Sequence, residues 1–199
     1  QTVRAPSVAV TYTAGTHRDV ARAVGQTVSA ARWLALKRFR FDMPDLINVD
    51  VSIAPRNKVR LFNDGIDRLF LSARTIEDFR KPADSKTYHI YGLCHEVAQL
   101  AQFRLISDRR WMTDAATEGW ARYFGSRLVD GVYGMKKKRL WVDAYDYRAD
   151  GMKRLEKLLA SAGKSDVNKA AEQWMKLAKI VGDKGVAPIF KAWAKAKVD

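Results

Sequence analysis

At 199 residues, 47% of them hydrophobic, the chain suits one domain with a real core, because a domain of that size buries roughly 70% of its extended surface. Thirty-six Lys and Arg against twenty-two Asp and Glu leave a net charge of +14, which points to an anionic partner or environment, whether nucleic acid, wall polymer or membrane headgroups. One cysteine excludes an internal disulfide and a Cys-rich zinc module, and no apolar run approaches the roughly 18 residues of a membrane span.

The chain opens on Gln1, and export to a secreted or periplasmic location is the expectation. Residues 7–12, SVAVTY, alternate and are rich in β-branched types, so they read as a strand ending at Ala14-Gly15-Thr16. From Asp19 to Phe39, Val20, Val24, Val28, Ala31, Leu34 and Leu36 recur at helical spacing. INVDVSIAP alternates Ile47, Val49, Val51 and Ile53 against polar neighbours and is closed by Pro55. KVRLF and DRLFLSA read as shorter strands with Asn63-Asp64-Gly65 as the turn between them. Helices follow over about 87–106, 114–130, 142–161, 167–180 and 184–196. The basic run KKKR at 136–139 reads as an exposed loop. Strands in one half and helices in the other, with no internal repeat or long linker, give an α+β arrangement in a single domain over residues 1–199.

The segment YHIYGLCHEVAQLAQF, residues 88–103, concentrates the chemistry. On a helix His95 and Gln99 share a face that Gln102 continues, while Ile90, Cys94, Val97 and Ala101 form the adjoining apolar stripe. In the HExxH arrangement two histidines at this spacing bind zinc, and the intervening glutamate is general base to the metal-bound water. Here Glu96 is present and the second histidine is replaced by Gln99. Glu118 follows nineteen residues later in TDAATEGWARYFGSRL, on a second helix with Thr113 or Asp114 as N-cap. It is placed either as a third metal ligand or as the i,i+4 partner of Arg122, and Gly119 beside it suits a close approach of two helices.

FLSARTI, YGLCHEVAQLAQ, TEGWARYF and AYDYRADGMKRLEKLL, in this order and spacing, resemble the basic secretory protein family of plants and bacteria, from about Val8 to the C-terminal IFKAWAKAK. The resemblance implies a zincin-like fold, a secreted basic protein and metal-dependent peptide hydrolysis, with zinc at His95, Gln99 and Glu118 and Glu96 as general base. The sequence departs from the family at Gln99, where histidine stands, and at Arg122, where aspartate is usual. An amide oxygen is a poorer zinc donor than imidazole, and Arg122 brings positive charge where an acidic orienting group is lost.

For the oxyanion of such a reaction Tyr145 is the candidate donor, with Tyr147 behind it, and either tyrosine is as well placed to anchor a helix by its hydroxyl. His89 diverges from His95 by roughly 120° around the helix and reads as a surface or capping residue. His17 carries no recognisable chemistry, and Cys94 reads as a buried free thiol. Trp174 and Trp193 lie in basic amphipathic stretches without a groove-reading motif, so core packing and a general attraction for polyanions is the reading, not specific nucleic-acid recognition. Two functions remain open: a secreted metal-dependent peptidase acting on a peptide or protein, and a pseudopeptidase that binds an anionic cell-wall or matrix component.

Overall fold

The computed structural model describes residues 1–13, 18–52, 61–72, 83–106, 113–137, 151–161 and 165–196. Five strands, β1 (Thr2–Ala5), β2 (Val8–Tyr12), β3 (Ile47–Ser52), β4 (Leu61–Asn63) and β5 (Arg68–Ser72), form one mixed sheet in the order β1-β2-β3-β5-β4. The inner pairs β2-β3 and β3-β5 are parallel, and the two edge strands are antiparallel to their neighbours. Among the described residues the helices are α1 (Arg18–Arg38), α2 (Ala83–Leu105), α3 (Asp114–Lys137), α4 (Gly151–Ser161), α5 (Asp166–Val181) and α6 (Val186–Ala196). The α+β reading therefore holds, with a small mixed sheet in the N-terminal half and helices in the C-terminal half.

Period-two alternation decides which side of the sheet is covered. Val8, Val10 and Tyr12, then Ile47, Val49 and Val51, then Leu69 and Leu71 are buried, and the register aligns them in rows such as Val10↔Val49↔Leu69. Their neighbours Thr11, Asn48, Asp50 and Arg68 are at least partly open, and Arg68 reaches Asp50 across that outer face at 3.5 Å. The apolar stripe of α1, with Val20, Val24, Val28, Ala31 and Leu34, covers the inner side as its spacing predicts. The helix ends with Arg40 in the left-handed region at φ 56°, and the Phe41 amide donates to the Ala35 carbonyl at 3.0 Å. That reversal turns Phe39 and Phe41 inward, where their rings stack 5.3 Å apart.

α3 is the central helix of the C-terminal half and packs on α1, α2, α4 and α5. Its fully buried Trp120 has ring neighbours in Phe41 at 5.2 Å, Phe124 at 4.2 Å, Trp174 at 4.9 Å and Phe190 at 4.7 Å. Trp174 is thus half-buried against the core, and the side chain of Trp193 lies outside the described residues. The Trp120 indole N–H donates to the Ala98 carbonyl of α2 at 2.9 Å. Gly125 faces the His95 backbone so closely that a Cβ there would lie 3.0 Å from His95 Cα, so the axes of α2 and α3 can meet beside the histidine. As expected, Gly119 gives the same close approach, here between α3 and α5 at Ala170 and Ala171.

The structure differs from the sequence expectations at several boundaries. β1 was not expected: four residues before Pro6 carry little pattern, yet they pair with β2 over Thr2↔Thr11 to Ala5↔Val8. Asn63 ends β4 instead of starting the turn, because its pairing with Leu69 extends the hairpin by one residue. α2 begins at Ala83, and α3 runs to Lys137 instead of about 130. Leu34 packs on Gly131 and Val132 is buried, so tertiary contact carries α3 through its glycines. Lys136 and Lys137 are therefore helical and not loop, while the rest of KKKR and residues 142–150 lie outside the described residues. α4 starts where the Asp130 carboxylate of α3 accepts the amides of Gly151 at 2.5 Å and Met152 at 3.3 Å.

Trp120→Phe removes the indole donor and leaves a space where the second ring packs. The expected loss is about 1–3 kcal/mol, from one hydrogen bond and a small cavity, read as a lower urea midpoint with unchanged slope. Full retention of stability would show that the indole is not a fastener between α2 and α3.

Candidate functional site

The residues singled out on α2 and α3 meet. His95 and Gln99 lie one turn apart on α2, and Glu118, in the first turns of α3 behind the Thr113 N-cap, faces them across the helix pair. His95 Nε2 and Glu118 Oε2 are 3.2 Å apart, and Gln99 Nε2 donates to Glu118 Oε1 at 2.8 Å. Gln99 Nε2 and His95 Nε2 are 3.4 Å apart. Glu118 is thus turned to His95 and Gln99. The Arg122 guanidinium donates instead to Asn168 Oδ1 of α5 at 2.6 Å, although its charge still reaches Glu118.

Asn63, which the sequence presents as a turn residue, completes the cluster. Its partner in the register is Leu69, a buried position, so its side chain is on the inner side of β4 towards α2. Its Nδ2 donates to Glu96 Oε2 at 2.6 Å and to Gln99 Oε1 at 2.7 Å, while its Oδ1 accepts the Gly65 amide at 2.9 Å. The available signal was period two: Leu61 and Asn63 share a face, and a polar residue at a position that ought to be apolar needs a partner. Asp64 finishes the turn by accepting the amides of Ile66, Asp67 and Arg68.

Burial and hydrogen bonding drive the two carboxyls apart. Glu96 and Gln99 are each only 8% exposed. Burial pushes the Glu96 carboxyl above its ordinary range, ahead of the downward pull of His95 and Asn63, and Glu118 adds to the rise. The hydrogen bond from His95 holds Glu118 below its ordinary range in spite of partial burial, helped by the His95 charge, Gln99 and Arg122.

Zinc, which the family resemblance implies, finds two suitable groups here, the His95 imidazole and the Glu118 carboxylate. The third position does not fit as arranged. Gln99 presents its amide nitrogen, which carries two protons and offers no lone pair to a cation. Inverting the amide would set its NH2 against the NH2 of Asn63, whose own orientation is fixed by Gly65. Among the described residues no group of three or more His, Cys, Asp and Glu is disposed to hold a metal.

Gln102, expected to continue the cleft lining, is instead fully buried, and neither amide atom has a hydrogen-bond partner among the described residues. Cys94 is the buried free thiol expected, and burial pushes its pKa far up. Tyr91, one turn before His95, is held by the Arg154 guanidinium 4.9 Å over its ring, and its hydroxyl is directed to the Arg122 carbonyl at 3.5 Å. Tyr145, Tyr147 and His17 lie outside the described residues, as does the side chain of His89. No described helix is long and apolar enough to cross a membrane. Compared with known proteins, the chain matches no family model and no curated protein.

Two substitutions test these environments. A carboxyl with a raised folded pKa loses stability as pH climbs from the unfolded value of about 4.3 to the folded one. Glu96→Gln should therefore match the wild type in melting temperature below about pH 4 and exceed it at pH 7; a gap of the opposite sign would contradict the burial assigned to Glu96. Gln102→Leu removes two unpartnered polar atoms and should add about 1–2 kcal/mol in urea unfolding, whereas a loss would reveal a partner that the amide satisfies.

Proposed function

We propose that this chain is a zincin-like relative of the basic secretory peptidases that has kept the cleft and exchanged its metal for side-chain hydrogen bonds. On this reading it is a secreted or periplasmic pseudopeptidase, a binding module for an anionic cell-wall or matrix component. The observation that carries the reading is the Gln99 amide, which donates to Glu118 on one side and accepts from Asn63 on the other. Glu118, which a cation would otherwise neutralise, is neutralised in part by N–H groups of His95 and Gln99. Glu96, at the position of a general base, is tied to Asn63. The net charge of +14 supplies the general attraction for polyanions.

A second reading is favoured by the convergence of His95, Gln99, Glu118 and Glu96 within hydrogen-bonding distance of one another or of Asn63. It is a metal-dependent peptidase in which zinc is held by His95, Gln99 and Glu118 once the Gln99 amide has turned its oxygen inward.

Gln99→His tests whether residue 99 faces a cation position, because it installs imidazole on the same helix face, and zinc binding and proteolysis by the wild type separate the two readings. Zinc affinity, measured by competition with a chromophoric chelator, should rise by a factor on the order of 10 to 100 over the wild type. Wild-type protein that already binds zinc tightly and cuts casein, with both lost in Glu118→Ala, would overturn the pseudopeptidase reading in favour of the enzyme. No gain in Gln99→His would mean that residue 99 does not face a cation position.

A further inference from the structure

We infer that Asn63, on the edge strand β4, is the residue that keeps a divalent cation out of this cleft, by fixing which end of the Gln99 amide faces His95 and Glu118. The inference rests on the pseudopeptidase reading and adds its determinant. Glutamine alone does not bar a metal, since its carbonyl oxygen is an acceptable ligand for harder divalent ions and a modest one for zinc. A barrier arises only if that oxygen is engaged elsewhere. Here it accepts from Asn63 Nδ2 at 2.7 Å.

The orientation of Asn63 is settled outside the cluster. Its Oδ1 accepts the Gly65 amide two residues on, an Asx turn at the tip of the β4-β5 hairpin. The NH2 must then point at α2, where its two protons meet Glu96 Oε2 and Gln99 Oε1. Gln99 is left to present Nε2 to Glu118 Oε1. Four groups on a strand and two helices are thereby arranged in one direction. To reverse the Gln99 amide is to oppose two NH2 groups inside a site where Gln99 is 8% exposed, leaving a buried donor without its acceptor.

The test is Asn63→Ser. The serine hydroxyl still accepts from the amide of residue 65, so the turn is kept, while both protons aimed at α2 are removed. Asn63→Thr keeps the same turn contact and carries the same expectation should the serine variant fold poorly in a thermal melt with chelator present. Zinc affinity should rise by a factor on the order of 10, accompanied by a zinc-dependent increase in melting temperature that the wild type lacks. Adding Gln99→Ala to Asn63→Ser should return the affinity to the wild-type value, since the new ligand is the Gln99 oxygen. Unchanged affinity in Asn63→Ser while Gln99→His binds zinc would overturn the role of Asn63 and leave the pseudopeptidase reading intact. A gain in Asn63→Ser that survives Gln99→Ala would also overturn it, showing release of Glu96 instead. Wild-type zinc binding as tight as that of Gln99→His would remove the premise of both.

Discussion

The contact between α2 and α3 is what the rest of the molecule is arranged around. It is fastened by the Trp120 indole on the Ala98 carbonyl and allowed by Gly125 against the His95 backbone. A methyl group at residue 125 would press on the His95 backbone and oblige the two helices to give way beside the site. The aromatic residues around Trp120 come from the end of α1 and from α3, α5 and α6, so three other helices press on the same junction. Packing of this density transmits small displacements rather than absorbing them.

Much of this was readable from residue pattern alone. The alternation in β2 and β3, the helical spacing of α1, and the shared face of His95 and Gln99 all follow from the two periods of polypeptide structure. The pairing of Glu118 with His95 and not with Arg122 was not decidable in one dimension, because either choice satisfies a charge. Asn168 of α5 decides it by engaging the guanidinium. The role of Asn63 is hidden in the sequence for a different reason. Asn-Asp-Gly is a strong turn signal, and the register that adds Asn63 to the strand depends on Leu69, outside the local window. The extension of α3 beyond residue 130 is likewise a matter of what Leu34 packs against.

The pair Glu96 and Glu118 shows how one fold separates two like groups. Both lie near His95, yet one is buried and the other is the acceptor of two N–H bonds. Such opposed environments are typical of sites that perform acid-base chemistry. Here they arise from the burial of Glu96 and from the hydrogen bond of His95 to Glu118 between two helices, so the divergence of the two carboxyls is a consequence of structure whether or not the site hydrolyses anything.

The Asn63 amide couples positions that are distant in the chain. Because each polar group from the Gly65 amide to Glu118 takes its orientation from the one before, the effect of any change in the series depends on what its neighbours already are. Residues 63 and 99 are 36 positions apart, but their amides are oriented as one unit. A change at residue 63 alters which atom residue 99 presents only while 99 is an amide, whereas histidine at 99 would offer a ring nitrogen whatever stands at 63. The strand edge thus acts on the helix conditionally: the effect of a change at either position is defined only once the residue at the other is known.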